Sequence, residues 1–296
     1  MNPTTIGLLL GLGAAVAWTG ANLTIRPAAD RLGSFGSLLA AQITGVGPII
    51  LLAVFLEGAP GGLPTLNACM LLAIAGLAAC LAFGGLFNAF RLGSVSVVGP
   101  LISAWSVVSV GVSYYFMDQI PSAMALMGVG CVGIGNAILA RFSMDDTSGR
   151  DRTRVVVPRI AIIAACISAV GFGVMLPAMN VVAKDMGPIW TIPTVWAVQW
   201  VFLLPLLRIL RQKVKFPRSL NDWKIAVVPG LFEAAGFTSL TIGLGFASMA
   251  VVAPTSSLST GLTVIAGFFF LHERLHPASA LGAAIVAIGV VMVGIN

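Results

Sequence analysis

Ten stretches of the chain are almost wholly apolar, and polar side chains collect between them instead of alternating within them. They lie near 4–25, 34–57, 68–90, 95–116, 120–141, 158–182, 188–210, 225–246, 249–270 and 276–294. A helix needs about 20 apolar residues to cross a hydrocarbon core of about 30 Å. The pattern therefore predicts an all-α integral membrane protein with ten transmembrane helices.

The pattern is written twice. A shift of 154 residues carries Ser94, Val97, Val98, Pro100, Ser103 and Phe116 onto Ser248, Val251, Val252, Pro254, Ser257 and Phe270. The same register pairs Ala15 with Ala169, Gly33 with Gly187, Phe83 with Phe237, Leu86 with Leu240, Gly128 with Gly282 and Gly135 with Gly289. Residues 1–142 and 158–296 are thus two five-helix repeats of one design. The connection 143–157 opens with SMDDTSGRDRTR, the one long polar stretch, and reads as a cytoplasmic linker. Because five crossings is an odd number, the second repeat must enter from the opposite face, so the repeats are expected to be inverted. Inverted repeats with a site between them are a common build of secondary transporters, in which one half rocks against the other.

Composition agrees with a lipid solvent: 58% of residues are hydrophobic and only 9% charged. The charges orient the chain. Arg26 and Arg31 follow the first run, Arg91 the third, and Arg141, Arg150, Arg152, Arg154 and Arg159 surround the linker. Arg208, Arg211, Lys213, Lys215, Arg218 and Lys224 separate the seventh and eighth runs, and Arg274 follows the ninth. All of these loops share one face, and Lys184 stands alone on the other. The positive-inside rule makes the basic face cytoplasmic and leaves both termini outside. Topology accounts for the net charge of +6, so no nucleic-acid partner is expected. The N-terminal segment has no basic residue before its apolar run, the reverse of a secretory leader, and the first helix is expected to be retained.

Polar and aromatic side chains inside the runs are the candidate chemistry. Trp18 and Asn22 are four apart and share a helix face; an amide in lipid needs a partner or water, so Asn22 either joins helices or lines a cavity. Gln42 and Thr44 lie in the second run, which ends near Glu57 at the outer interface. Ser103, Ser106, Ser109 and Ser113 form a small polar stripe beside Trp105, again for packing or for a cavity wall. In the seventh run Trp196 and Trp200 share a face with Gln199 beside them, Pro193 and Pro205 are expected to interrupt the helix, and Trp190 reads as an interfacial anchor. Gly128, Gly130, Gly133 and Gly135, with Gly282 and Gly289 in the last run, favour close helix packing.

Glu233 is the only acidic side chain well inside any run, and its repeat mate is Ala79, so the fold does not demand it. A carboxylate at such depth costs on the order of 3 kcal/mol and usually faces a polar cavity. Burial disfavours its charged form, which makes Glu233 the candidate for proton coupling, with Phe237 and Thr241 on its face. The bland alternative is a protonated Glu hydrogen-bonded between helices. Ser256, Ser257, Ser259, Thr260 and Thr263 follow Pro254 and can satisfy one another or the carbonyls it frees.

His272, Glu273, Arg274, Leu275 and His276 spell H-E-x-x-H, the zinc-protease signature. Pro277 follows at once and the charges mark a membrane boundary, so the match reads as accidental, and no metal site is expected. Cys69, Cys80, Cys131 and Cys166 lie singly, with neither disulfide nor metal spacing.

WTGAN at the first helix, Pro254, the phrase Phe270, Leu271, Glu273, Arg274, Leu275, and then Gly282 and Gly289 resemble the EamA family of the drug/metabolite transporter superfamily. The resemblance covers essentially the whole chain; the first repeat departs from it with Met117, Asp118 and Gln119 where the phrase would stand. It implies a ten-helix basket around a central cavity, the last helix of each repeat peripheral, and usually efflux of amino acids or other small metabolites. Small four-helix relatives carry an essential Glu in their first helix. Neither the first nor the sixth run here has an acid, so coupling does not transfer, and Glu233 is only a candidate replacement.

No Lys or Arg lies at mid-membrane, which disfavours sugar phosphates and nucleotide sugars. One carboxyl with Trp18, Trp105, Trp196, Trp200, Ser103 and Ser257 suits a zwitterionic, cationic or neutral amphipathic solute. The expected substrate-binding set is completed by Asn22, Gln199, Glu233 and Phe237. The expectation is a secondary exporter of amino acids or related metabolites in a bacterial inner membrane, with no cofactor, no enzymatic activity and a monomer sufficient. Import or exchange, an intramembrane zinc protease and a non-transporting scaffold are the alternatives.

Overall fold

The computed structural model describes residues 2–60, 65–93, 95–117, 120–143, 158–212, 214–271 and 277–294. Among them the structure is wholly helical: α1 (Pro3–Leu32), α2 (Ser34–Glu57), α3 (Leu66–Leu92), α4 (Val95–Ser103), α5 (Trp105–Met117), α6 (Ala123–Ser143), α7 (Arg159–Met186), α8 (Pro188–Ile209), α9 (Leu220–Leu244), α10 (Met249–Ser256), α11 (Ser259–Leu271) and α12 (Pro277–Gly294). Each of the ten apolar runs coincides with a helix or a broken pair of helices. Seven spans among the described residues are long and apolar enough to cross a membrane, the α4–α5 pair counting as one. The other three expected crossings fall on α6 and α12, whose described apolar cores are shorter (Ala123–Leu139 and Leu281–Val293), and on the α10–α11 pair.

Helix ends differ from the apolar runs where polar chemistry sets them. α1 continues past Arg26 and Arg31 to Leu32, so both cations lie on its last turns, and Pro27 is accommodated inside it. α9 begins at Leu220 because Ser219 and Asp222 form a capping box, with the Ser219 side chain accepting from the Asp222 N–H and Asp222 accepting from the Ser219 N–H. α8 runs unbroken through Pro193 and Pro205, contrary to the interruption expected there; freed carbonyls in membrane helices are re-satisfied by neighbours and hydroxyls.

The two breaks fall at equivalent places. α4 gives way to α5 at Ala104, α10 to α11 at Ser257 and Leu258, and the 154-residue shift carries Ala104 to Leu258. At both, short backbone turns such as Ala104 N–H to Leu101 O and Leu258 N–H to Thr255 O carry the chain across.

Packing is reciprocal. α1 lies along α9 and α3 along α7, so the first helix of each repeat packs on the third of the other. α6 and α12, the last helix of each repeat, run antiparallel. A Cβ built at Gly128 would stand 2.5 Å from the Gly289 carbonyl oxygen, and one at Gly135 2.7 Å from that of Gly282. Those glycines allow the close approach expected of small residues. The core is largely the seam between repeats, with Phe83, Phe87 and Phe90 of α3, Met175, Leu176 and Met179 of α7, and Phe237 of α9 fully buried. Outward faces are apolar as well: Ile160, Ile163, Ile167 and Val170 of α7 form an exposed stripe at helical spacing, as a lipid-facing surface requires.

Both ends are clasped across the repeats. At the basic end Arg31 of α1 meets Asp222 of α9. At the opposite end Glu57 of α2 accepts the backbone N–H groups of Ile189 (2.9 Å) and Trp190 (3.3 Å) in the first turn of α8, where an anion complements the helix dipole. The Trp190 indole donates to the Gly58 carbonyl at 3.0 Å.

Candidate functional site

A cleft, partly open to solvent, lies between the repeats; the space within it, open solvent included, is about 450 Å³. Glu233 is the single ionisable side chain among its described lining residues. Glu233 lies thirteen residues into α9, about 20 Å from its first residue by helix rise, and is only 5% exposed. The Trp18 indole lines the cavity beside it.

Aromatic rings build the wall. Phe237, one turn beyond Glu233 on α9, is surrounded by Trp18 at 5.3 Å, Phe83 at 5.6 Å, Trp196 at 6.1 Å and Phe172 at 6.3 Å between ring centroids. Trp18 also meets Trp105 edge-on at 5.9 Å. These separations and the mostly edge-to-face geometry are those of favourable ring pairs. Trp18, Trp105, Phe172 and Phe237 reach the cavity; Phe83 and Trp196 stand behind them. Polar groups occupy the helix breaks: Ser103 ends α4, Trp105 opens α5 and Ser259 opens α11, and all three line the cavity. Ser103 is hydrogen-bonded to Thr260 across the seam. Asn22 is held more loosely, its amide donating to Thr263 at 3.5 Å.

Six expected residues therefore meet in one cavity: Trp18, Asn22, Ser103, Trp105, Glu233 and Phe237. Four are placed elsewhere. Trp196 packs its ring on Phe83 and Phe237. Gln199 and Trp200 belong to a separate polar cluster with Gln42, in which the Gln42 amide donates to the Gln199 side-chain oxygen at 3.2 Å and the Trp200 indole donates to the Gln42 oxygen. Ser257 is fully buried and donates to the Ala253 carbonyl of α10.

The cavity also has residues that were not expected, and the repeat could have found three of them. The 154-residue shift carries Trp18 to Phe172, Asn22 to Leu176 and Trp105 to Ser259, all lining residues. At these three positions both repeats face the common space, whereas Ala79, Phe83 and Ser257, the mates of Glu233, Phe237 and Ser103, do not line it. Leu86, Phe90, Gly99 and Ile102 extend the lining along α3 and α4 toward the basic end; nothing separates them by sequence from ordinary core.

A family model described as the EamA-like transporter family matches residues 5–141 and again 159–295. The chain belongs to the EamA-like transporter family. The two matches fall on the two repeats, with the linker between them, so this is a multi-pass membrane protein of a transporter family. No curated protein sequence matches it. A solved structure titled only as the crystal structure of a protein superposes with a TM-score of 0.69 over 97% of both chains at 19% identity. That likeness shows the fold alone. Residues 272–276, which hold the H-E-x-x-H segment and the rest of the phrase that begins at Phe270, lie outside those described.

Proposed function

We propose that this EamA-family protein is a secondary-active exporter of small zwitterionic, cationic or neutral metabolites, amino acids among them, working by alternating access with Glu233 as the proton-coupling group. The observation that carries the reading is a lone buried carboxyl in an aromatic cavity between two matching repeats. A buried acid without a cationic partner has two ways to meet its charge requirement, a proton or a substrate cation. Exchange of one for the other is the elementary step of an antiporter.

Ten crossings in two inverted five-helix repeats fit this mechanism, and the antiparallel pairing of α6 with α12 supports the inversion. The cavity lies toward the basic end, which the positive-inside rule makes cytoplasmic, and the Glu57 clasp holds the other end together. On this reading the cavity is loaded from the cytoplasm, with both termini outside and the protein in the inner (plasma) membrane. Repeats of 1–142 and 158–296 then move against each other about the linker 143–157. Substrate contacts fall to Trp18, Asn22, Ser103, Trp105, Glu233 and Phe237, while Trp196, Gln199, Trp200 and Ser257 support the wall and the seam.

Purified protein in vesicles tests the reading. Inward-directed and outward-directed proton gradients should drive solute flux in opposite directions, and Glu233→Gln should abolish the dependence on the gradient. Flux of no solute of this class, or flux indifferent to the gradient in the wild type, would refute it.

A further inference from the structure

We infer that the preferred substrate is an organic monocation, an amine or quaternary ammonium with an apolar body and no carboxylate. The inference rests on the transport reading above and narrows its substrate range.

Charge is the first argument. Glu233 has no ion pair among the described residues, and no Lys, Arg or His joins it in the described lining. A zwitterionic amino acid brings a carboxylate as well as an ammonium. Here that carboxylate would find no cation among the described lining residues and would stand in the same small space as Glu233. Its solvation would be lost with nothing in return. A monocation meets the opposite conditions, because one carboxylate balances it and the ring faces attract it.

Geometry is the second argument. Glu233 and Phe237 are successive turns of one helix face, so a cation at the carboxyl places its neighbouring carbons against the Phe237 ring. Trp18 links the two: it lines the cavity with Glu233 and touches both Phe237 and Trp105 edge-on. Phe172 closes the wall from α7. A carboxylate beside converging aromatic rings is the construction that selects ammonium groups. The hydroxyls nearby do not offer anion recognition in its place. Ser103 is engaged with Thr260, and Asn22 supplies a single amide, without the fixed positive charge or fork that holds a carboxylate.

Three compounds of one shape separate the classes: 2-phenylethyltrimethylammonium, whose charge is fixed, phenylalanine and 2-phenylethanol. Their binding to the purified full chain is measured by titration calorimetry, with Glu233→Gln, Glu233→Asp and Trp105→Leu in parallel. The trimethylammonium compound is expected to bind about tenfold or more tighter than either congener. Glu233→Gln should lose about tenfold for the cation and leave the alcohol unchanged, Glu233→Asp should retain most of the cation affinity, and Trp105→Leu should weaken it severalfold. Tighter binding of phenylalanine or phenylethanol, equal binding of all three, binding of none, or a cation affinity indifferent to Glu233→Gln overturns the inference. The same protein in vesicles separates the two readings. Preference for another congener that is nevertheless transported overturns the cation class and leaves transport standing, whereas a cation that binds at Glu233 and is never moved overturns transport and leaves the site.

Discussion

Gly236 leaves the space that the Trp18 indole fills: a Cβ built at Gly236 would stand 2.5 Å from Trp18 Nε1 and 2.6 Å from its Cδ1. Trp18 therefore keeps its place beside Glu233 and against Phe237 only because α9 has no side chain at that point. Both contacts are with large, buried groups, so an added methyl must move the indole, not pass around it.

Gly236→Ala is expected to displace Trp18 from Glu233 and Phe237, lowering transport by about tenfold or more while costing about 1–3 kcal/mol of stability, the usual range for overpacking. Flux in vesicles beside thermal unfolding of the same preparation checks it. Full transport in Gly236→Ala would show that the Trp18 position is immaterial.

The polar cluster between α2 and α8 is a structural joint. Gln42→Leu removes the acceptor of the Trp200 indole and the donor to Gln199, leaving buried polar groups without partners. A loss of about 1–3 kcal/mol is expected, measured by unfolding in detergent. Trp200→Phe, which removes only one donor, should cost less.

Hydroxyls of the α4–α5 serine stripe behave differently from one another. Ser109 is fully buried and its hydroxyl has no hydrogen-bond partner among the described residues, so Ser109→Ala should be neutral or stabilising by up to about 1 kcal/mol. Ser103→Ala breaks the link to Thr260 and should destabilise by about 1 kcal/mol. Equal effects at the two positions in unfolding experiments would contradict this assignment.

Glu57 caps α8 from the neighbouring repeat, and Gly187 makes room for it. Gly187 has φ of 93°, and a Cβ there would lie 2.4 Å from Glu57 Oε2. Glu57→Ala is expected to cost about 1 kcal/mol through the lost cap. Gly187→Ala should cost at least as much, from backbone strain and displacement of the carboxylate together. If the clasp holds the outer end shut, Glu57→Ala should also raise the rate at which an outside thiol reagent modifies a cysteine placed at Thr194. An unchanged rate would remove the clasp from any gating role.

Helix positions were legible because a bilayer imposes a length that a soluble core does not. The run 34–57 coincides with α2 for this reason, and the 154-residue register anticipated the equivalence of the two helix breaks without showing that they were breaks. Helix ends were harder to read. The Ser219–Asp222 capping box starts α9 five residues before its apolar run, since capping depends on side-chain hydrogen bonds and not on hydropathy.

Residue faces were legible only halfway. Spacing puts Trp196, Gln199 and Trp200 together on α8, but spacing cannot say what stands opposite. α3 and α9 present Phe83 and Phe237 to Trp196, and α2 presents Gln42 to the other two. Glu233 stood out because a carboxyl in lipid is costly wherever it points. Phe172 did not, because a phenylalanine in an apolar run is ordinary until Trp18 is recognised as its repeat mate.

The central claim is that the cavity around Glu233 exports a small metabolite. Its most direct test is an untargeted comparison of metabolites in spent medium from cells expressing the wild type, Glu233→Gln or an empty vector, with membrane expression matched. The account predicts at least one compound enriched by the wild type alone. Equal enrichment by wild type and Glu233→Gln would make Glu233 structural, and no enrichment by either would contradict export.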